Sequence, residues 1–92
     1  MEGTQHPVAT VRLVFLARLR DALGRQDETY PLDRPISVGA LLEALRARGG
    51  PWERELAAGR AYKVAVNHEV VAAGAVVRPG DEVAVFPPVT GG

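Results

Sequence analysis

Residues 37–50 read SVGALLEALRARGG, and this stretch decides what kind of domain the chain can form. Val38, Leu41, Leu42 and Leu45 recur at i, i+3, i+4 and i+7, the spacing that lines one face of a helix. Ser37 carries the side-chain oxygen that caps a first turn, Arg46 and Arg48 suit the negative end of the helix dipole, and Gly49-Gly50 stops the helix. The stretch predicts one amphipathic helix over residues 37–48. Its apolar stripe must be buried against another layer, and the rest of the chain offers mainly strands.

Upstream, from Thr10, the text VRLVFL puts Val11, Leu13 and Phe15 on one face of a strand and Arg12, Val14 and Leu16 on the other. Ala17 to Leu23 has the make-up of a short helical turn that Gly24 can end. Glu28 to Leu32 reads as a second strand, and Pro31, lacking an N–H, places it at an edge or in a hairpin arm. Downstream, Pro51 can open a short helix, Trp52 to Ala58, closed by Gly59, with Trp52 as a small-core anchor. Tyr62 to Asn67 alternates Val64 and Val66 against Lys63 and Ala65, Asn67-His68-Glu69 is a turn, and Val70-Val71 begins a return strand. Residues 77–82 carry turn chemistry and launch a last strand, Val83 to Phe86, which Pro87-Pro88 ends. The order strand, strand, helix, short helix, strand, short strand, strand predicts an α+β fold. Its form is a β-grasp, a mixed sheet packed on one main helix. The domain is expected over residues 10–87, with a loose leader at 1–9 and a tail at 88–92.

Ninety-two residues suit one small domain, and 47% hydrophobic with 24% charged residues is a globular balance. Eleven basic residues against eleven acidic ones leave a formal net charge of zero, so no broad basic field holds a nucleic-acid backbone. The absence of cysteine excludes disulfides, thiolate metal sites and cysteine nucleophiles, and makes the cytoplasm the expected compartment. The N-terminus lacks the pattern of a signal peptide, and no run approaches the roughly 20 apolar residues of a membrane helix.

Catalytic side chains are not evident. His6 and His68 have no partners at metal-ligand spacing, and solvated histidines are the better account. Glu53, Glu55, Asp81 and Glu82 read as surface carboxylates, and the arginines, interleaved with acids, read as a solvated surface. Ser37 is a cap, not an activated nucleophile, and Gly49-Gly50 follows a helix where a phosphate loop would precede one.

Two features call for more. The outward parity carries Val14 and Leu16 on the first strand and Ala84 and Phe86 on the last, so Leu16 and Phe86 form an exposed apolar patch if those strands are neighbours. Scattered exposed apolar residues are common, and a partner surface is the sharper account. The second feature is the ending Val89-Thr90-Gly91-Gly92, which has neither charge nor bulk and fits a channel one backbone wide. Its free carboxylate is a poor acyl donor until another enzyme activates it, for example as an acyl-adenylate.

Val66-Asn67 with its hairpin, Gly80-Asp81-Glu82-Val83-Ala84, Phe86-Pro87-Pro88-Val89-Thr90-Gly91-Gly92, and Phe15-Leu16-Ala17 with Arg20 and Gly24 together resemble the MoaD/ThiS family of ubiquitin-like sulfur carriers. Within it they resemble the branch that forms the small subunit of molybdopterin synthase. The resemblance covers nearly all of residues 10–92; the leader has no counterpart in the family's usual short form.

The resemblance implies a carrier that is no enzyme on its own and binds no cofactor or metal. An E1-like adenylyltransferase of the MoeB kind would use ATP to adenylate the Gly92 carboxylate. A sulfur donor, a cysteine desulfurase or rhodanese, would then supply the sulfur that leaves a Gly92 thiocarboxylate. The carrier would insert Val89, Thr90, Gly91 and Gly92 into a MoaE-like large subunit and give sulfur to cyclic pyranopterin monophosphate, forming the dithiolene of molybdopterin. Leu16, Val70, Phe86, Pro87 and Pro88 are implied as partner contacts, Val70 by resemblance alone, and the implied assembly is a heterotetramer. Carriers for thiamine thiazole or tRNA thiolation, ubiquitin-like modifiers, and a non-reactive β-grasp interaction module are the alternatives.

Overall fold

The computed structural model describes residues 9–57 and 61–87. Two parallel strands lie side by side at its centre, β1 (Thr10–Phe15) and the last strand, β7 (Glu82–Phe86), with Leu13 opposite Val83 and Phe15 opposite Val85. The chain returns from β1 through a short helix α1 (Arg18–Leu23) to β2 (Asp27–Pro31), which pairs antiparallel with β1 as an edge strand. Beyond β3 (Ile36–Ser37) come the main helix α2 (Val38–Arg46) and the short α3 (Gly50–Glu55). The hairpin β4 (Lys63–Val66) and β5 (Glu69–Val71) and the short β6 (Val76–Val77) complete the fold before β7. The main sheet runs β2-β1-β7-β4-β5, while β3 and β6 form a second, two-stranded sheet. This is the predicted β-grasp.

The helix stripe does what its spacing requires. Val38, Leu41, Leu42 and Leu45 are all buried, in one cluster with Val11, Leu13, Phe15, Val64, Val83 and Val85 from the inner face of the sheet. At about 25 cal/mol per Å² of apolar surface removed from water, this cluster is the main driving force of the fold. The Ser37 hydroxyl accepts from the Ala40 N–H at 3.0 Å, the predicted N-cap. At the other end the Gly49 N–H donates to the Arg46 carbonyl at 3.0 Å, so the regular helix stops two residues short of Arg48. Gly24 ends α1 in the left-handed region at φ 74°, a conformation that a residue without Cβ adopts freely.

Four readings are corrected or extended. The second short helix begins at Gly50, two residues before Trp52, because Pro51 needs no N–H partner in a first turn, and it ends at Glu55 rather than running to Ala58: the Leu56 N–H donates to the Trp52 carbonyl at 3.1 Å and closes the last turn. The strands β3 and β6 were absent from the predicted order, since two-residue strands leave no periodic signal. Glu55 is not a surface carboxylate. It is 8% exposed, and the Arg18 Nη1 donates to its Oε1 at 2.6 Å, joining α1 to α3.

The arginines likewise do more than solvate. Arg46 donates to the Leu56 carbonyl at 3.0 Å, and Arg48 lies over the Trp52 ring, 4.4 Å from its centroid. Trp52 in turn meets Phe15 edge to face at 5.3 Å between ring centroids, which fits its reading as an anchor of the small core.

Candidate functional site

With the inner parity committed to the core, the outer face of the sheet is defined by register. Val14 stands opposite Ala84, Ala84 opposite Ala65, and Ala65 opposite Val70, so one apolar row crosses β1, β7, β4 and β5. Three strand spacings of about 4.8 Å give this row a span of about 14 Å. Both β1 and β7 place their outward residues beside each other, as the parity argument required of neighbouring strands. Leu16, one residue past β1, donates its N–H to the Val85 carbonyl at 3.1 Å and is 42% exposed. Val70 is 58% exposed on the same face.

Phe86 departs from expectation in degree. It is half-buried, not fully exposed, because β7 is an interior strand with β1 on one side and β4 on the other, where Lys63 is its partner. Pro87 is half-buried as well. Pro88, Val89, Thr90, Gly91 and Gly92 lie outside the described residues, as do residues 1–8 of the expected leader, while its last residue, Ala9, accepts from the Leu32 N–H at 2.9 Å. The face is bordered by charge: Arg12 donates to Asp27 at 2.9 Å on the β1–β2 side, and the exposed Lys63 lies opposite Phe86. The alternation of Val64 and Val66 against Lys63 and Ala65 was readable in the sequence, but joining Lys63 to Phe86 and Ala65 to Val70 needed the cross-strand register, and Ala65, in the middle of the row, is itself buried.

A second set of residues fixes the start of β7. Asp81 accepts from the Arg78 backbone N–H at 2.8 Å and from the Asn67 Nδ2 at 3.0 Å, while Asn67 Oδ1 accepts from the Glu82 N–H at 3.0 Å. These bonds hold the Asp81 carboxyl below the usual range for an aspartate, the Arg78 N–H contributing most. Asn67 and Asp81 thus clamp the β4–β5 turn to the strand that leads toward the C-terminus. Elsewhere, among the described residues, no cluster of three or more His, Asp or Glu side chains is placed to hold a metal, and no helix is long and apolar enough to cross a membrane.

The profile of the ThiS family matches residues 13–92. The chain belongs to the ThiS family. The molybdopterin synthase sulfur carrier subunit of Escherichia coli (strain K12) is 35% identical over 82 residues, covering 89% of this chain and 99% of that protein. Among solved structures, SAMP1 from Haloferax volcanii superposes with a TM-score of 0.75 at 28% identity, covering 90% of this chain and 99% of that one. The putative molybdopterin converting factor, subunit 1, from Pyrococcus furiosus gives 0.73 at 27% identity, covering 88% and 99%. These likenesses agree with the ubiquitin-like β-grasp.

Proposed function

We propose that this ThiS-family chain is the sulfur-carrying small subunit of a molybdopterin synthase. The observation that carries the reading is the outer apolar row, which runs across β7, the strand whose end leads to the diglycine. A body that docks through this face would aim the following segment into its partner. The match of the family profile through Gly92, and the sulfur carrier subunit from Escherichia coli, support the same assignment.

The reactive group is the main-chain carboxylate of Gly92. An E1-like adenylyltransferase joins it to AMP with release of pyrophosphate from ATP, since a free carboxylate resists attack. The outer sulfur of a persulfide on a cysteine desulfurase or rhodanese attacks the acyl-adenylate and expels AMP to give an acyl disulfide; a second thiol then attacks the donor cysteine's sulfur, supplying the two electrons that release the Gly92 thiocarboxylate and leaving the donor cysteine in a disulfide with that thiol. The carrier then docks on the large subunit through Leu16, Val70, Phe86, Pro87 and Pro88, with Val89, Thr90 and Gly91 occupying a narrow channel. The thiocarboxylate sulfur bonds to a carbon of cyclic pyranopterin monophosphate, and water then cleaves the acyl–sulfur bond, leaving the sulfur on the pterin and a plain carboxylate on Gly92. In this reading the active site belongs to the large subunit, and two carriers serve a large-subunit dimer in the cytoplasm.

Likeness to small archaeal modifier protein 1 of Haloferax volcanii supports a second reading, conjugation through the same activated glycine. Intact mass after incubation with the cognate activating enzyme, ATP and a sulfur source tests the first step of the carrier reading. The expected change is one sulfur gained for one oxygen lost, and a chain lacking Gly92 stays unchanged. Adding the large subunit and cyclic pyranopterin monophosphate should restore the original mass and yield molybdopterin. No mass change with an active enzyme would overturn the carrier reading, and lysine-linked conjugates without molybdopterin would favour the modifier.

A further inference from the structure

Ala17 stands where the chain leaves β1 for α1, with φ 54° and ψ −132°. Glycine enters this region freely, whereas a residue with a Cβ enters it only against steric repulsion. Ala17 is exposed and makes no side-chain capping bond, so neither burial nor capping accounts for a methyl group there. The strained junction has one clear consequence, which concerns Leu16.

Leu16 is held on both sides of its Cα. Its N–H donates to the Val85 carbonyl at 3.1 Å, and its carbonyl accepts from the Leu19 N–H at 3.2 Å in the first turn of α1. The Ala17 carbonyl accepts from the Arg20 N–H at 3.1 Å, and the buried Leu19 and Leu23 anchor the helix that follows. A large apolar side chain, 42% exposed, is therefore presented on a backbone locked by the sheet on one side and a helix on the other. Strain of this kind concentrates at ligand clamps, where it supports pre-organisation. Binding is strengthened when the anchor has little freedom left to lose.

We infer that Ala17 is a positioning residue, whose methyl restricts the strand-to-helix junction so that Leu16 is pre-set for docking on the large subunit, at a cost in the stability of the free carrier. The inference rests on the synthase reading above. A glycine at this position would relax the strain but loosen the anchor. A D-alanine would relax the strain and keep the junction stiff, because the mirror image of these angles is an ordinary extended conformation of an L-residue.

The test measures thermal unfolding and affinity for the purified large subunit in Ala17→Gly, in Ala17→D-Ala made by chemical ligation, in Leu16→Ala, and in the double variant Leu16→Ala/Ala17→Gly. Both changes at Ala17 should raise the melting temperature by about 4 °C. Ala17→Gly should nevertheless bind roughly threefold more weakly, while the D-alanine protein keeps the wild-type affinity. In the Leu16→Ala background the glycine should cause no further loss, since its effect acts through Leu16. Wild-type affinity of Ala17→Gly, an undiminished loss in the double variant, or equal weakening by D-alanine each overturns the inference and leaves the synthase reading intact. If the wild-type chain is thiocarboxylated yet does not bind the large subunit, the synthase reading fails and the role of Ala17 falls with it.

Discussion

Arg48 and Glu28 join the turn that follows α2 to β2 through two parallel contacts, Nη1 to Oε1 at 2.8 Å and Nη2 to Oε2 at 2.5 Å. The same guanidinium covers Trp52, and Arg25 reaches Glu28 Oε1 at 2.9 Å. The pair is well shielded, with side-chain exposures of 30% for Arg48 and 13% for Glu28, so it is worth more than an ordinary surface ion pair. Arg48→Ala should lower stability by about 1 to 2 kcal/mol in urea unfolding without changing the slope. Arg48→Lys should recover only part of this, because an ammonium lacks the planar fork. Full recovery by lysine would show that charge alone matters at this position.

Stability should fall at acid pH through Glu28 and Asp81. The carboxyl of Glu28 titrates below its ordinary value of 4.5, chiefly through the Arg48 hydrogen bond, and that of Asp81 below 3.8, chiefly through the Arg78 N–H. Because the folded values lie below the unfolded ones, their contribution is complete above the unfolded values and is lost as pH falls through the folded ones. The urea midpoint should show no loss from these two groups between about pH 7 and about pH 5 and decline below. Glu28→Gln should start less stable and decline less steeply, and a parallel decline in the variant would remove Glu28 from this account.

The β4–β5 turn holds Asn67 at φ 51° and His68 at φ 73°. Both angles suit a two-residue hairpin turn in which glycine is preferred at the second position. His68→Gly should therefore stabilise the chain by about 0.5 to 1 kcal/mol, and an unchanged or lower thermal midpoint would argue against strain at His68.

Leu16 and Phe86 should differ in how far docking and folding separate. Leu16→Ala should cost less than about 0.5 kcal/mol of stability, and the half-buried Phe86 about 1 to 2 kcal/mol when changed to alanine. Both should weaken binding to the large subunit by about 1 to 3 kcal/mol. Leu45→Ala, by contrast, removes a fully buried helix residue and should cost about 2 to 5 kcal/mol of stability, with no change in affinity once the protein is folded. Wild-type affinity for Leu16→Ala and Phe86→Ala would remove the outer row from the docking surface.

Local signals in the chain were legible where one residue type has one dominant use. The four-residue stripe of α2, the Ser37 cap, the Gly24 stop and the alternation in β1 each express a short-range rule, and each element appears close to where that rule places it. The same alternation separated core from outer residues before any strand order was known. Glu55 escaped such a reading because a glutamate beside an arginine-rich helix looks solvated until Arg18 is brought to it across 37 positions. Asn67 and Asp81 are similarly silent as a pair: each looks like a turn residue, and their bond exists only because β4 and β7 are neighbours.

Periodicity, caps and the GDEVAVFPPVTGG stretch are local properties of the chain, and they were enough to place the longer elements, the core faces of β1, α2 and β7, and the family, though not the two-residue strands β3 and β6 or the burial of Glu55. Tertiary structure alone decided that β1 and β7 run parallel at the centre, that Val14, Ala84, Ala65 and Val70 join in one row, and that Leu16 is locked behind a strained Ala17. Those relationships depend on register and on backbone angles, which arise when distant segments pack.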